Sequence, residues 1–184
     1  LAGTIIVPIL TDFIAEHVGT VAKHAEITAI CGTEKTIAKI KAAGISDEIP
    51  LLHIDEMDTQ GIMVTIKGQK VKMEYKPVTP YRAQEDETAT IIYTSGTTGS
   101  SKGVMLSHRN LVFEAQACRS IIKIYPRDRF LSVLPMAHTY ECTIGMIIAV
   151  LNGASTTYLG KAPTPAILMP ALELVRPTIM LTVP

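Results

Sequence analysis

The residues best suited to chemistry lie in one run near the middle of the chain, from Tyr93 to Gly103. Apart from the tyrosine and Lys102, every residue of that run is Thr, Ser or Gly. Glycines let a backbone approach a ligand closely, and the unpaired N–H groups of such a loop bind anionic oxygens. Hydroxyls add further donors, and lysine contributes a compact positive charge. The run therefore predicts a loop that binds a polyphosphate.

The hydroxyl, glycine and lysine positions of the loop are the predicted phosphate-binding residues. They are Thr94, Ser95, Gly96, Thr97, Thr98, Gly99 and Lys102. A flexible Gly/Ser/Thr linker is the main alternative, but such a linker does not normally separate a strand-like run from an apolar Val-Met-Leu stretch. A Walker A loop is excluded because Ser100 and Ser101 separate Gly99 from the lysine, where that motif requires Gly-Lys-Ser/Thr.

The run from Thr94 to His108 resembles the signature loop of the AMP-binding, or adenylate-forming, superfamily. Ser101 departs from the family pattern, which usually has proline there, but it removes no ligand-contacting group. The segment Leu134-Pro-Met-Ala-His-Thr-Tyr-Glu141 resembles the family motif that lines the acyl or aryl site, and is most similar to bacterial long-chain fatty acyl-CoA synthetases. Gly3 to Pro8 and Arg176 to Pro184 also resemble family segments, so the resemblance covers nearly the whole chain.

The resemblance implies a two-step reaction that uses ATP, Mg²⁺ and coenzyme A as co-substrate. A carboxylate oxygen attacks the α-phosphorus of Mg-ATP and expels pyrophosphate, and the CoA thiol then displaces AMP from the acyl-adenylate. The resemblance makes Lys102 and His138 catalytic, and His138 and Tyr140 substrate-binding. It also makes Thr94 a ligand of the Mg²⁺ that arrives with ATP. A long-chain fatty acid is the expected substrate; an aryl-CoA ligase, a carrier-protein-loading adenylation domain and a non-catalytic nucleotide-binding module remain alternatives.

The other chemically capable residues have structural alternatives. His138 follows a strand, and ligands of open α/β sheets collect beyond the carboxyl ends of strands, but a helix-capping or core histidine is the alternative. Its role could be to orient the acid or to move a proton, and the sequence leaves both open. Glu141 is interpreted as structural. The carboxylates from Glu85 to Glu87 are interpreted as a solvated connector, because beside a phosphate site they would repel the substrate.

The hydrophobic pattern predicts an α/β fold with a mostly parallel sheet flanked by helices. Strands are predicted at Thr4–Ile9, Ile27–Cys31, Leu51–Ile54, Thr88–Thr94, Arg129–Leu134, Ser155–Leu159 and Thr178–Val183. Helices are predicted at Phe13–His24, Glu34–Ala43, Arg109–Ile122, Tyr140–Leu151 and Pro165–Val175. Alternating apolar residues on either side of Gly68 predict a β-hairpin insertion at 62–75.

Composition narrows the class of protein. The 184 residues are 47% hydrophobic, which is enough to form a core, and 17 basic residues balance 17 acidic ones. A net charge of zero gives no basic surface to attract nucleic acid. Three well-separated cysteines, Cys31, Cys118 and Cys142, predict free thiols in a reducing compartment, hence a cytoplasmic protein. The apolar runs are too short to span a bilayer, which leaves peripheral membrane association open.

Both ends of the sequence are predicted to be truncated. The chain begins at Leu1 directly before an apolar run and ends at Pro184 just after a strand-like segment. Residues 1–184 are therefore expected to be an incomplete piece of the large N-terminal AMP-binding domain, without the small C-terminal lid domain that the resemblance implies. The piece alone is expected to be inactive, because that family places its remaining catalytic groups downstream.

Overall fold

The computed structural model describes residues 3–94 and 102–183, and they form two compact units. The first unit consists of Leu1–Arg82 and Tyr93–Val104, and the second of Ala83–Ile92 and Met105–Pro184. Helices and strands alternate along the chain, and the described strands form three sheets. The mixed α/β class predicted from the sequence is confirmed.

The first unit is built on a four-stranded sheet with two helices. Its elements are α1 (Ala15–His24), β1 (Ile30–Gly32), α2 (Glu34–Ala42), β2 (Leu51–Met57), β3 (Gly61–Ile66) and β4 (Gln69–Glu74). The sheet order is β1-β2-β3-β4, with β1 parallel to β2 and the other neighbours antiparallel. The core of this unit includes Val18 and Val21 of α1 together with Leu51 and Val64 of the sheet. Burial of these apolar side chains supplies most of the driving force for the packing.

The predicted hairpin is present as β3 and β4. Ile66 pairs with Gln69, and the two residues between them, Lys67 and Gly68, have φ angles of 50° and 74°. A two-residue turn with positive φ at both positions matches the right-handed twist of the flanking strands, and glycine at the second position adopts positive φ without a steric penalty. The pairing continues to Gly61 opposite Glu74.

The second unit contains a three-stranded sheet in which both outer strands run parallel to the central one. Its elements are α3 (His108–Ile121), β7 (Arg129–Ser132), a π-helical segment (Glu141–Ile147), α4 (Ile148–Leu151), β8 (Ser155–Tyr158), α5 (Pro165–Val175) and β9 (Ile179–Met180). Phe130 and Leu131 of the central strand are almost fully buried, as are Ala115 of α3 and Ile148 of α4. The central strand therefore carries the core of this unit.

Strands β5 (Thr88–Thr94) and β6 (Lys102–Ser107) form the third sheet. β6 runs directly into α3, and Ser107 caps that helix: its Oγ accepts a hydrogen bond from the Asn110 N–H at 3.2 Å, and its own N–H donates to Asn110 Oδ1 at 2.9 Å. The sequence did not predict β6, because its residues lack an alternating pattern and its pairing with β5 is a tertiary contact.

Other predicted elements also differ from the structure: the strand predicted at Thr178–Val183 comprises only Ile179–Met180, and the one predicted at Ile27–Cys31 comprises Ile30–Gly32. The predicted strand Thr4–Ile9 is reduced to a single bridging residue, Ile6, and Pro8 removes one of the backbone donors that a longer ladder would need. The predicted helix Tyr140–Leu151 is divided into the π-helical segment and the short α4. Over residues 3–94 and 102–183, none of the helices combines the length and the apolar character needed to cross a membrane.

Candidate functional site

The two ends of the predicted phosphate loop lie on paired strands. Thr94 is the last residue of β5 and Lys102 is the first residue of β6, and both side chains are exposed. An exposed hydroxyl and an exposed ammonium suit the anionic oxygens of a polyphosphate. The remaining predicted binding residues fall outside the part of the chain that the structure describes. These are Ser95, Gly96, Thr97, Thr98 and Gly99.

The residue that precedes Thr94 is anchored to α1. Tyr93 is 6% exposed, and its hydroxyl lies 2.6 Å from Nδ1 of His24 at the end of that helix. The two rings meet edge to face, with 5.7 Å between their centroids. Burial raises the pKa of the Tyr93 hydroxyl, so the neutral phenol is the form that takes part in this hydrogen bond. Sequence reasoning missed His24, because its spacing from the loop carries no signal of this contact.

The second unit contains an apolar cavity of about 540 Å³. One wall comes from α3 and the other from the residues around the start of the π-helical segment. The lining residues include Leu111, Phe113, His138, Thr139, Tyr140, Thr143 and Ile144. Cavities of this kind, mostly apolar with a few polar groups, are typical of small-molecule sites. The structure thus brings the predicted acid-binding residues His138 and Tyr140 together at one cavity.

His138 is held in a tight turn of the backbone. Its N–H donates to the carbonyl of Pro135 at 2.9 Å, and its own carbonyl accepts from the N–H of Cys142 at 3.0 Å. The imidazole Nδ1 lies 3.4 Å from the backbone N–H of Tyr140, as a long hydrogen bond that it accepts. The imidazole itself is exposed and lines the cavity. The ring is therefore placed as a group that could orient a ligand carboxylate.

Glu141 lies in the interior of the second unit, although it follows these exposed residues directly. It is 1% exposed, and burial raises the pKa of its carboxyl, while a hydrogen bond with the Ser132 side chain works in the opposite direction. Within the described residues, its Oε2 atom has no hydrogen-bond partner. A Cβ added at Gly145 would overlap Oε1, so the glycine leaves the space that the carboxyl occupies.

The acidic connector before β5 is engaged in surface ion pairs. Arg109 of α3 lies 3.3 Å from a carboxylate oxygen of Glu85 and 3.1 Å from one of Asp86, and all three side chains are exposed. In residues 3–94 and 102–183, no group of three or more His, Cys, Asp or Glu side chains is arranged to hold a metal ion. The ion pairs with Arg109 agree with a solvated connector at this position.

The comparison with known families decides the identity of the fold. The sequence model of the family described as AMP-binding enzyme matches residues 1–184. The chain belongs to this family. The AMP-binding resemblance predicted from the Thr94–His108 run is therefore confirmed.

Curated relatives of this AMP-binding chain include fatty acyl-CoA synthetase A of Dictyostelium discoideum, which is 28% identical over 181 residues. That alignment covers 92% of this chain and 27% of the relative. Long-chain-fatty-acid–CoA ligase 1 of Homo sapiens is 28% identical over 201 residues, covering 98% of this chain and 28% of the relative. The chain thus spans little more than a quarter of these relatives.

Solved structures share the fold of this AMP-binding chain. The anthranilate CoA ligase AuaEII in complex with anthranoyl-AMP superposes with a TM-score of 0.77 at 18% identity, covering 97% of this chain and 35% of that one. The N-terminal domain of FACL13 from Mycobacterium tuberculosis gives a TM-score of 0.75 at 22% identity, with coverages of 97% and 43%. At these identities the likeness establishes the architecture.

Proposed function

We propose that the complete protein carrying this chain is an acid–thiol ligase that activates a long-chain fatty acid with ATP and transfers the acyl group to coenzyme A. In the first step a carboxylate oxygen bonds to the α-phosphorus, and the bond from that phosphorus to the pyrophosphate oxygen breaks. In the second step the CoA sulfur bonds to the acyl carbon, AMP leaves with the carboxyl oxygen, and the thiol proton passes to solvent. The match of residues 1–184 to the AMP-binding family is the observation that carries this proposal.

Phosphate binding is assigned to the run Thr94–Lys102 that the sequence predicts to bind a polyphosphate. We propose that Lys102, with the Thr94–Gly99 run, holds the β- and γ-phosphates and offsets the charge that develops on the leaving pyrophosphate. The exposed Thr94 hydroxyl at the end of β5 fits an oxygen ligand of Mg²⁺, which would supply further charge neutralisation when it arrives with ATP. Catalysis of this kind depends mainly on positioning and electrostatic stabilisation.

The acid end is assigned to the cavity in the second unit. Leu111, Phe113 and Ile144 give it apolar walls that suit an alkyl chain, and His138 and Tyr140 supply polar groups for the carboxylate. The names of the curated relatives, which are fatty acyl-CoA synthetases and ligases, support a fatty acid and not an aryl acid as the substrate. We assign His138 to orienting the carboxylate, because its imidazole is exposed at the cavity.

We further propose that the chain is part of a larger N-terminal domain, and that the protein acts in the cytoplasm with peripheral access to membranes. The share of the relatives that the chain covers supports the first point. Cys31, Cys118 and Cys142, all within the described residues, are free thiols, which supports a reducing compartment. A fatty acid substrate reaches an enzyme most readily from a membrane, which supports the peripheral association.

Acid-dependent exchange of labelled pyrophosphate into ATP by the complete protein tests the proposal. Exchange is expected with long-chain fatty acids, and acyl-CoA should accumulate once CoA is added. Fatty acids of graded chain length, aryl acids and amino acids form the substrate panel, and an acyl carrier protein replaces CoA in a parallel series. Exchange with amino acids and none with fatty acids would contradict the proposal. Thioester formation with the carrier protein and none with CoA would show that the acyl acceptor is a carrier protein.

A further inference from the structure

The imidazole of His24 makes a contact to which the proposed reaction gives no task. His24 is the last residue of α1, and its Nδ1 atom is hydrogen-bonded to the hydroxyl of Tyr93, 2.6 Å away. The two rings also meet edge to face, with 5.7 Å between their centroids and 87° between their planes. The hydrogen bond sets the distance of the phenol from the helix, and the ring contact sets its tilt. Together the two contacts hold the Tyr93 side chain in one orientation.

Helix α1 is a firm support for this contact. Val18, Val21 and Ala22 are 5%, 1% and 5% exposed, so the last two turns of the helix pack into the core of the first unit. The N–H of Ala25, just after the helix, still donates to the carbonyl of Val21 at 2.9 Å. A helix end that is packed and hydrogen-bonded in this way opens rarely. His24 therefore provides a fixed point in the first unit.

Tyr93 connects this fixed point to the start of the predicted phosphate loop. Tyr93 is 6% exposed and Ile92 before it is 3% exposed, whereas Thr94, the last residue of β5, is exposed. The chain also passes from the second unit to the first at Tyr93. The contact with His24 thus anchors the beginning of the loop to the unit that the loop enters.

Only one peptide bond separates the anchored tyrosine from Thr94. Consecutive residues of a strand are about 3.3 Å apart, and their side chains point to opposite faces. A rotation of the backbone at Tyr93 therefore carries the Thr94 hydroxyl with it, because no residue lies between them to absorb the change. A misplacement of about 1 Å at a group that contacts substrate can cost about a hundredfold in rate. The orientation of Tyr93 consequently controls how the Thr94 hydroxyl meets a ligand.

A contact that only stabilises the fold is the simpler interpretation, and it predicts a different result. Any buried phenol gains from a hydrogen-bond partner, and loss of that bond would destabilise the first unit whatever lay beside it. Helix α1 offers a matched comparison, because His17 meets the ring of Phe13 edge to face at 5.8 Å. Neither of these two residues is next to the predicted loop in the sequence. An effect on nucleotide binding that is confined to the His24 contact therefore separates positioning from stability.

We propose that His24 is a positioning residue, which through its contact with Tyr93 sets the orientation of the Thr94 hydroxyl at the start of the phosphate loop. The nucleotide-binding part of this inference rests on the proposed function, which assigns Thr94 to Mg-ATP. The contact needs a hydrogen-bonding group at the position of Nδ1. Asparagine, whose amide both donates and accepts hydrogen bonds, should therefore replace His24, whereas alanine should not.

Calorimetric titration of the complete protein with Mg²⁺ and an α,β-non-hydrolysable ATP analogue, without acid, tests the inference. His24→Ala and Tyr93→Phe should each raise Kd by about tenfold, because Thr94 is no longer held in place. The double variant should bind no more weakly than the weaker single variant, since both substitutions remove one contact. His24→Asn should stay within about threefold of the wild type. His17→Ala, which also removes an edge-to-face ring contact from α1, should leave Kd unchanged.

Amide hydrogen exchange provides a second readout that needs neither nucleotide nor activity. Because β5 pairs with β6, exchange of residues 91–94 and 102–107 should become faster in His24→Ala and Tyr93→Phe. It should remain at the wild-type rate in His24→Asn and His17→Ala. In the acid-activation assay the first two variants should raise KM for ATP by about tenfold and KM for the acid by less than about twofold.

The possible outcomes distinguish this inference from the proposed function. If the differences in Kd and hydrogen exchange hold but no acid supports pyrophosphate exchange, the positioning role stands and the proposed function fails. If acid activation occurs but neither His24→Ala nor Tyr93→Phe weakens nucleotide binding more than His17→Ala does, the inference is wrong. Tyr93→Phe decides alone if His24→Ala fails to fold. A Kd for His24→Asn as high as that of Tyr93→Phe would also overturn the role of the hydrogen bond.

Discussion

The Nδ1 atom of His24 lies 2.6 Å from the hydroxyl oxygen of Tyr93, although the two residues are 69 positions apart in the sequence. The contact ties the last residue of α1 to the residue that precedes Thr94, where the predicted phosphate loop begins. Because Tyr93 is buried, its hydroxyl relies on His24 for a hydrogen bond. The start of the loop is therefore fixed by the packing of α1 as well as by its own strand.

Tyr93→Phe should lower the free energy of unfolding by about 1 kcal/mol, because it removes the hydrogen bond between the buried Tyr93 hydroxyl and His24. Urea denaturation of the chain measures this. Tyr75→Phe is the matched control, since Tyr75 belongs to the same unit and is 51% exposed. Equal stability changes in the two variants would show that the His24 contact contributes nothing to folding.

The buried carboxyl of Glu141 should make stability depend on pH. Burial raises the pKa of the folded-state carboxyl above its ordinary value of 4.5, so the folded protein binds more protons than the unfolded chain as soon as pH rises past that value. The contribution of Glu141 to the free energy of unfolding should therefore be largest below pH 4.5 and fall as pH rises toward the raised pKa.

Comparison with Glu141→Gln isolates this contribution. Glutamine does not titrate. The free energy of unfolding of the wild type should therefore decrease relative to that of the variant as pH rises above about 4.5. Urea denaturation at a series of pH values supplies the measurement. A difference that stays constant across the series would mean that Glu141 has the same pKa in both states.

Asp58, in the first unit, should make stability depend on pH in the opposite sense to Glu141, so that its contribution falls as pH falls. Lys72 donates to Oδ2 at 2.6 Å, the N–H groups of Gln60 and Gly61 donate to Oδ1, and together they lower the pKa of Asp58 from 3.8 to about 2. The contribution of Asp58 to the free energy of unfolding is therefore present above pH 3.8 and should be lost as pH falls toward about 2. Unfolding curves of wild type and Asp58→Asn should converge over that range. Asp12→Asn, at an exposed site of the same unit, is the control.

Lys102→Ala in the complete protein should slow acyl-adenylate formation by about a hundredfold or more, because the lysine is proposed to offset charge on the leaving pyrophosphate. Thioester formation from preformed acyl-adenylate should change by less than about threefold, since no pyrophosphate leaves in that step. Rapid-quench assays of the two half-reactions give both rates. Lys76→Ala removes another exposed lysine of the same unit and should leave both rates unchanged. Equal slowing of the two half-reactions would contradict the role of Lys102.

Strand β5 and helix α5 illustrate what could be predicted. Both occupy the ranges that the sequence predicts, Thr88–Thr94 and Pro165–Val175. Each is specified by local features: a run of β-branched residues for the strand, and a Thr164 cap followed by proline at the first helical position for the helix. The hairpin was predictable for the same reason, since Gly68 marks a turn between two alternating segments. The family was predictable because the Thr94–His108 run is long and specific.

The sequence by itself thus determined the elements with local signals, the family and the types of residue that could bind phosphate and acid. The tertiary structure alone decided that β6 pairs with β5, that His24 reaches Tyr93, and that Glu141 is buried beside Gly145 while His138 remains exposed. The physical reason is that hydrogen bonds and burial depend on which distant residues meet. Composition and spacing record which groups are present, and packing determines which of them find partners.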